Sequence, residues 1–240
     1  MSEAIFVQGL AKSYNGKTVV DHLDLSVSGG TVFGLLGANG AGKSTTIECI
    51  LGTKLADSGT VRLLGQNPKK RRRQLFQRIG VQFQEGNYHP EIRASELCEE
   101  TASLYHAPAD WRKLCGQFRI GDKANAAVKS LSGGERQRLF IVLALIPQPE
   151  LVFLDELTTG LDAKARRGIW KTLESLKEQG LTIFLTSHFM DEVEALCDEI
   201  CILKKGTAVF RGTVEHAKAL CGCERFEDAY LRLSDEEAEA

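Results

Sequence analysis

Apolar residues recur along this chain in distinct rhythms, and each rhythm predicts a kind of element. Between Ile5 and Ser28 the segments IFVQGL, KSYNGKTVV and LDLSV alternate apolar and polar positions with turn residues between them, which predicts short strands and a hairpin. TVFGLL (Thr31–Leu36), LVFLD (Leu151–Asp155) and LTIFLTS (Leu181–Ser187) are continuous apolar runs instead, as expected of strands buried on both faces of a parallel sheet. KSTTIECILG has helical spacing: Ile47, Ile50 and Leu51 share a face and Gly52 suits a C-terminal cap. Ala163 to Gln179 predicts a helix with Asp162 as N-cap, Ile169, Leu173 and Leu176 on one face, and Gly180 closing it. MDEVEALCDEI extends the helical period through Met190, Val193, Cys197 and Ile200. SGTVRLLG predicts another hairpin arm and EICILKKGTAVFRGT a hairpin, while Asn87 to about Leu131 is helical without a strong strand. The acidic end SDEEAEA is expected to fray.

Strand, helix and strand in alternation predict a mainly parallel α/β core with helices inserted into it. The 240 residues suffice for one large domain or two lobes sharing a core. With 43% apolar and 26% charged residues the composition is that of a soluble globular protein, and a formal charge of −2 supplies no general field for DNA or RNA. No nucleic-acid partner is therefore expected. Lys69 to Arg73, KKRRR, could serve as a nucleic-acid or lipid-headgroup patch, but a solvated helix face is the preferred reading.

The seven cysteines form no Cys-x-x-Cys pair and have no histidine pair at zinc-ligand spacing. Cys197 and Cys201 could share a helix face, yet reduced thiols in a cytosolic compartment fit better. MSEAIFVQGL lacks the features of a signal peptide, and the longest apolar stretch, LFIVLALIP, is too short to span a bilayer.

Chemistry enters with GANGAGKS, Gly37 to Ser44, which fits G-x-x-x-x-G-K-[ST] between a buried strand and a helix. Gly37, Gly40 and Gly42 let the backbone curl so that N–H groups converge on phosphate oxygens, aided by the helix N-terminus. Ala38, Asn39, Ala41 and Thr45 complete the candidate ATP-binding stretch. Lys43 can reach the β- and γ-phosphates and the Ser44 hydroxyl can ligate Mg²⁺. An apolar strand ending in an acid, LVFLD, suits the other side of such a site. Asp155 is expected to hold Mg²⁺ through water, and Glu156 to orient or deprotonate the attacking water. A P-loop alone leaves kinases, GTPases and other ATPases open, although no N/T-K-x-D guanine-reading element occurs.

SLSGGERQRL, Ser130 to Leu139, resembles the signature motif of ABC-type ATPases. The order of elements also matches: P-loop, glutamine, LSGGE, LVFLDE, then a histidine after a strand. From about Ile5 to Thr213 the chain resembles the ATP-binding subunit of ABC transporters. That resemblance implies an α/β P-loop NTPase of the ABC ATPase type, with a mainly parallel core sheet, an antiparallel β subdomain and an inserted α-helical subdomain at about 87–147. Residues 1–213 would form the ATPase domain and 214–240 a short extension. Carried over by motif, Tyr14 resembles the aromatic that stacks on adenine, and Gln84 the glutamine that senses γ-phosphate and Mg²⁺ and faces the membrane partner. Likewise, His188 resembles the γ-phosphate histidine, Ser132, Gly133, Gly134 and Glu135 the signature offered to the ATP of the opposite subunit, and Asp162 the D-loop aspartate.

The stretch from DELTTGLD to CDEI resembles multidrug and antibiotic-resistance exporter ATPases most. After Thr213 there is no room for the large regulatory domain that many sugar importers append. The resemblance thus implies an ATPase bound to ATP and Mg²⁺ at the cytoplasmic face of a membrane, peripheral to an integral membrane transporter subunit. It would pair as a homodimer, or as a heterodimer with another ABC ATPase. A soluble ABC machine acting on DNA or ribosomes would show coiled-coil insertions or paired ABC units, and a P-loop kinase would have no use for LSGGE. One departure stands out: Leu157 occupies the position where the family's DEPTTGLD carries proline. Without proline's fixed φ, the turn after Glu156 is expected to be looser.

Overall fold

The continuous apolar runs become neighbours in one six-stranded sheet. The computed structural model describes residues 3–82, 88–89, 91–158 and 160–234. Its strands are β1 (Glu3–Tyr14), β2 (Lys17–Ser28), β3 (Val32–Leu36), β4 (Ser58–Leu63), β5 (Ile79–Gln82), β6 (Leu151–Leu154), β7 (Thr182–Thr186), β8 (Glu199–Lys204) and β9 (Thr207–Gly212). The large sheet has the order β5-β6-β7-β3-β8-β9, parallel except for β9, which returns antiparallel from β8. β2-β1-β4 form a separate antiparallel sheet. The helices are α1 (Lys43–Ile50), α2 (Arg72–Leu75), α3 (Ala94–Ser103), α4 (Trp111–Gln117), α5 (Gly133–Leu145), α6 (Ala163–Glu178), α7 (Met190–Leu196), α8 (Val214–Cys221) and α9 (Phe226–Ser234).

Strand periodicity explains why the central runs are apolar throughout. Leu151 and Phe153 of β6 enter the core shared with the antiparallel sheet and α1, whereas Val152 and Leu154 join the core formed with α3, α4, α5 and α6. Phe184 and its neighbours Ile183 and Leu185 divide the same way. Phe184 lies 5.5 Å from Phe33 and 5.1 Å from Phe153, centroid to centroid, so three central strands are locked by one aromatic cluster. Helix α5 reaches this sheet closely, because a Cβ on Gly80 of β5 would fall 1.9 Å from the Ala144 carbonyl oxygen.

Several local expectations change. IFVQGL and LDLSV belong to two twelve-residue strands rather than short ones. The turn-like Gly9 (φ 59) sits where the register shifts between Val7 and Leu10, so it makes a bulge and the strand continues. The helical period does not persist to Ile200. Helix α7 stops at Leu196 and the chain is captured by the sheet, with Asp198 N donating to Val32 O at 2.9 Å and Val32 N to Asp198 Oδ2 at 2.8 Å. Ile200 and Cys201 therefore lie on β8, and Cys197 and Cys201 share no helix face. In KKRRR only Arg72 and Arg73 are helical, and all five side chains are exposed. Beyond Thr213, α8 and α9 pack Ala217, Phe226 and Ala229 against Leu36 and Ile202.

Candidate functional site

The order β6-β7-β3 brings the carboxyl ends of these parallel strands side by side. That edge is where open α/β sheets bind ligands. The loop after β3 closes with Ala41 N donating to Ala38 O at 3.1 Å and is tied to the β8–β9 turn through Gly206 N to Ala41 O at 3.0 Å. Gly42, at φ 105, admits no side chain: a Cβ there would lie 2.5 Å from Val19 O. Lys43 is almost fully buried, and its Nζ donates to Gly37 O at 2.5 Å and Ala38 O at 3.1 Å, which holds the ammonium over the loop. Gly40, Ser44 and Thr45 line a cavity of about 400 Å³ with Asn39, Asp155 and Glu156. This spacing gives a phosphate chain a cradle of backbone and cation.

The acids beyond β6 are set by a residue the sequence pattern did not single out. Thr186, at the end of β7, donates its hydroxyl to Asp155 Oδ1 at 2.5 Å and accepts from Glu156 N at 3.0 Å. Burial pushes the Asp155 carboxyl above its ordinary range and the Glu156 charge adds to this, while the Thr186 bond and Lys43 act the other way. Glu156 has a left-handed backbone, φ 51, an uncommon conformation for a residue with a Cβ. Its Oε1 lies 2.8 Å from His188 Nε2, so the histidine after β7 and the acid after β6 share a hydrogen bond at the mouth of the cradle.

Two further side chains hold this turn. Gln137 of α5 donates Nε2 to Leu157 O at 2.8 Å and to Glu156 O at 3.3 Å. Glu192 of α7 is fully buried, and its Oε1 accepts from Thr158 Oγ1 at 2.8 Å and Trp170 Nε1 at 2.9 Å. Thr186 ends an otherwise apolar run, where its polar side chain was the available signal, whereas Gln137 and Glu192 lie within ordinary helical patterns that carry none. Leu157 itself is fully buried in the core with residues of α5 and α6, so its side chain packs the turn against that core.

The remaining motif residues lie elsewhere. Ser132 caps α5, its Oγ accepting from Glu135 N at 3.2 Å while Glu135 Oε2 accepts from Ser132 N at 2.8 Å. That reciprocal pair is a capping box, and with Gly133 and Gly134 it stands outside the phosphate cavity. Asp162 caps α6 through Ala165 N at 2.8 Å. Tyr14 is exposed at the β1–β2 turn, with Lys12 and Lys54 ammoniums 5.2 and 5.7 Å from its ring, and does not line the cavity. Gln84 lies outside the described residues.

Fold and cradle together define a P-loop nucleotide-binding protein. The family model described as "ABC transporter" matches residues 20–159. A "Nod factor export ATP-binding protein I" from Ralstonia nicotianae is 42% identical over 211 residues, covering 86% of this chain and 66% of that protein. Its namesake from Paraburkholderia xenovorans is 41% identical, covering 87% and 70%. The chain thus spans about two thirds of these relatives' length. A solved "ATP binding subunit of ABC transporter" superposes with a TM-score of 0.87 at 24% identity, covering 96% of this chain and 99% of that one. A dimeric ATP-binding cassette bound to ADP and Pi gives 0.78 at 22% identity, covering 87% and 98%. The chain belongs to the ABC transporter family, of which it carries the ATPase domain. Among the described residues no helix is long and apolar enough to cross a membrane.

Proposed function

We propose that this chain is the ATP-hydrolysing subunit of an exporter, peripheral on the cytoplasmic face of a membrane and coupled to a separate integral membrane subunit. The grouping of Lys43, Ser44, Asp155 and Glu156 around one cavity, with His188 bonded to Glu156, is the observation that supports this most. The relatives named for Nod factor export support the direction of transport. In this reading residues 1–213 form the ATPase domain, with a helical subdomain at about 87–147 and a short extension over 214–240.

Gly37 to Thr45 bind the phosphates through backbone N–H groups and Lys43 Nζ. The residues fit a divalent cation: the Ser44 hydroxyl is exposed into the cavity, and Thr186 engages only one oxygen of the Asp155 carboxylate. Ser44 and Asp155, with Gln84, would hold Mg²⁺, which when bound neutralises phosphate charge. Glu156 orients the attacking water and accepts its proton, and His188 sits where a γ-phosphate contact competes with its bond to Glu156. Tyr14 stacks on adenine. Ser132, Gly133, Gly134 and Glu135 stand apart from the chain's own cradle because they serve the ATP of a partner subunit, with Asp162 at the same junction. Two ATPs then join two subunits head to tail, in a homodimer or with another ABC ATPase, and hydrolysis releases them.

Isolation of the chain from detergent-solubilised membranes tests the transporter reading. Recovery with an integral membrane protein is expected. Recovery with ribosomes or DNA, and never with a membrane protein, contradicts it.

A further inference from the structure

A second cavity, about 540 Å³ in volume, lies between the end of α4, helix α5 and one face of α6. It shares no lining residue with the phosphate cradle and is the roomier of the two. Its charge is one-sided. Arg119, Arg138, Lys164 and Lys171 line it against a single carboxylate, Asp162, which is engaged by the N-terminus of α6.

Three of those cations are unspent. Among the described residues Arg119, Lys164 and Lys171 form no ion pair. Arg112, Lys123, Lys129, Arg166 and Lys177, on the same or adjoining elements, have a carboxylate partner, whereas Lys113, Arg136 and Arg167 also form no ion pair among the described residues, so it is the convergence of four cations on one cavity that marks the site. Arg138 is fixed in place, its Nε donating to Gly134 O at 3.2 Å and its Nη1 to Arg119 O at 3.3 Å.

The backbone at Arg119 is strained. Helix α4 ends with Arg119 N bonded to Gly116 O at 3.1 Å and Ile120 N to Cys115 O at 2.9 Å, which puts Arg119 at φ 55. That position of a helix-ending turn ordinarily takes glycine. Here an arginine occupies it, against backbone preference, and stands at the cavity. The facing surface of α6 is kept low by Gly168, Thr172 and Ser175. A Cβ on Gly168 would meet nothing within 4 Å, so packing does not require that glycine, and its absence of side chain leaves space open.

We propose that this cavity binds a small organic molecule bearing at least two phosphate groups. Guanidinium forks match phosphate oxygens bidentately. Lys164 and Lys171 lie two turns apart on α6, roughly 10 Å along its axis, which suits separated anionic groups better than one compact ion. The volume falls in the small-ligand range of about 300–1,000 Å³. On the floor Thr172 Oγ1 donates to Gly168 O at 3.1 Å and keeps its lone pairs to accept from a polar carbon skeleton, while the Ser175 hydroxyl keeps its proton to donate. A ligand held there bridges α5 to α6, and so joins the helical layer to the sheet core at a point distinct from the chain's own phosphate cradle, with Asp162 and Arg138 placing its rim beside the junction proposed for a partner subunit.

Calorimetric titration of fructose 1,6-bisphosphate into the full chain tests this, with ADP saturating the phosphate cradle throughout. Saturable binding is expected, weakened about tenfold or more by Lys171→Glu and by Arg119→Gly, with ADP affinity unchanged in both. Arg119→Gly separates binding from folding, because glycine suits the backbone there and the variant's melting temperature should not fall. Absence of saturable binding to the ADP-loaded wild type at millimolar bisphosphate overturns the proposal, as does equal binding by both variants. A synthetic SDEEAEA peptide that displaces the bisphosphate and binds more tightly, with the same variant sensitivity, assigns the cavity to a protein segment instead and also overturns it.

Discussion

Asp155 and Glu156 are adjacent in sequence yet held in different ways. Asp155 is fixed by the Thr186 hydroxyl, and burial raises its pKa above the ordinary 3.8. A carboxyl raised by folding stabilises the fold in its protonated form, fully below pH 3.8, and that contribution is lost as pH rises through the folded value. Asp155→Asn keeps an acceptor for Thr186 and removes the buried charge. It should melt higher than wild type at neutral pH, with the advantage vanishing on acidification, and lose about 10²-fold or more in ATP turnover. Parallel melting and ATPase measurements across pH check this, and a variant that melts lower at pH 7 contradicts it. Leu157 makes a different claim. It is fully buried, so Leu157→Ala should destabilise by about 2–5 kcal/mol. Leu157→Pro retains apolar bulk and should change turnover or cooperativity only modestly, while identical kinetics would make the leucine neutral in function. The departure from proline was visible in sequence, but its burial was not, because a residue between two acids and a polar turn has no apolar periodicity around it.

At the level of elements, α5 links the Ser132–Glu135 segment, proposed to serve a partner's ATP, to the turn that carries Glu156. Its N-terminus is closed by the Ser132–Glu135 capping box, and Ser132→Ala should cost about 1 kcal/mol of stability. One turn further, Gln137 bonds the carbonyls of Glu156 and Leu157. Gln137→Ala would leave two partly buried carbonyls without this donor, at about 1–3 kcal/mol. Its kcat should fall with ATP affinity unchanged, whereas a raised KM with intact kcat would place Gln137 in nucleotide binding instead. Elements with strong patterns were legible: β3, β6 and β7 as all-apolar runs, and α6 with its Asp162 cap and apolar face. Where local pattern and tertiary capture compete, the sequence misleads. MDEVEALCDEI keeps a helical period through Ile200, yet Asp198 pairs with Val32 and pulls the chain into β8. Gly9 reads as a turn but produces a bulge, because neighbouring β2 and β4 supply partners on both sides.

Across the whole molecule, two sheets and a helical layer present two separated sets of polar residues. The cradle gathers at the carboxyl ends of β3, β6 and β7, and the capped N-terminus of α5 stands apart from it. In the proposed reading, the residues of that N-terminus, Ser132 to Glu135, meet the ATP of a partner subunit, because they line no part of the chain's own cradle. That separation follows from topology, and only the resemblance of SLSGGERQRL to a known motif made it foreseeable; no hydrophobic pattern reports the distance between two loops. ATP-driven pairing is read out by the sedimentation mass of Glu156→Gln with and without ATP. ATP-driven pairing gives a monomer without nucleotide and a stable particle of twice the mass at saturating ATP, with turnover nearly abolished. A variant that binds ATP and remains a monomer, or one that hydrolyses ATP at the wild-type rate, would contradict it.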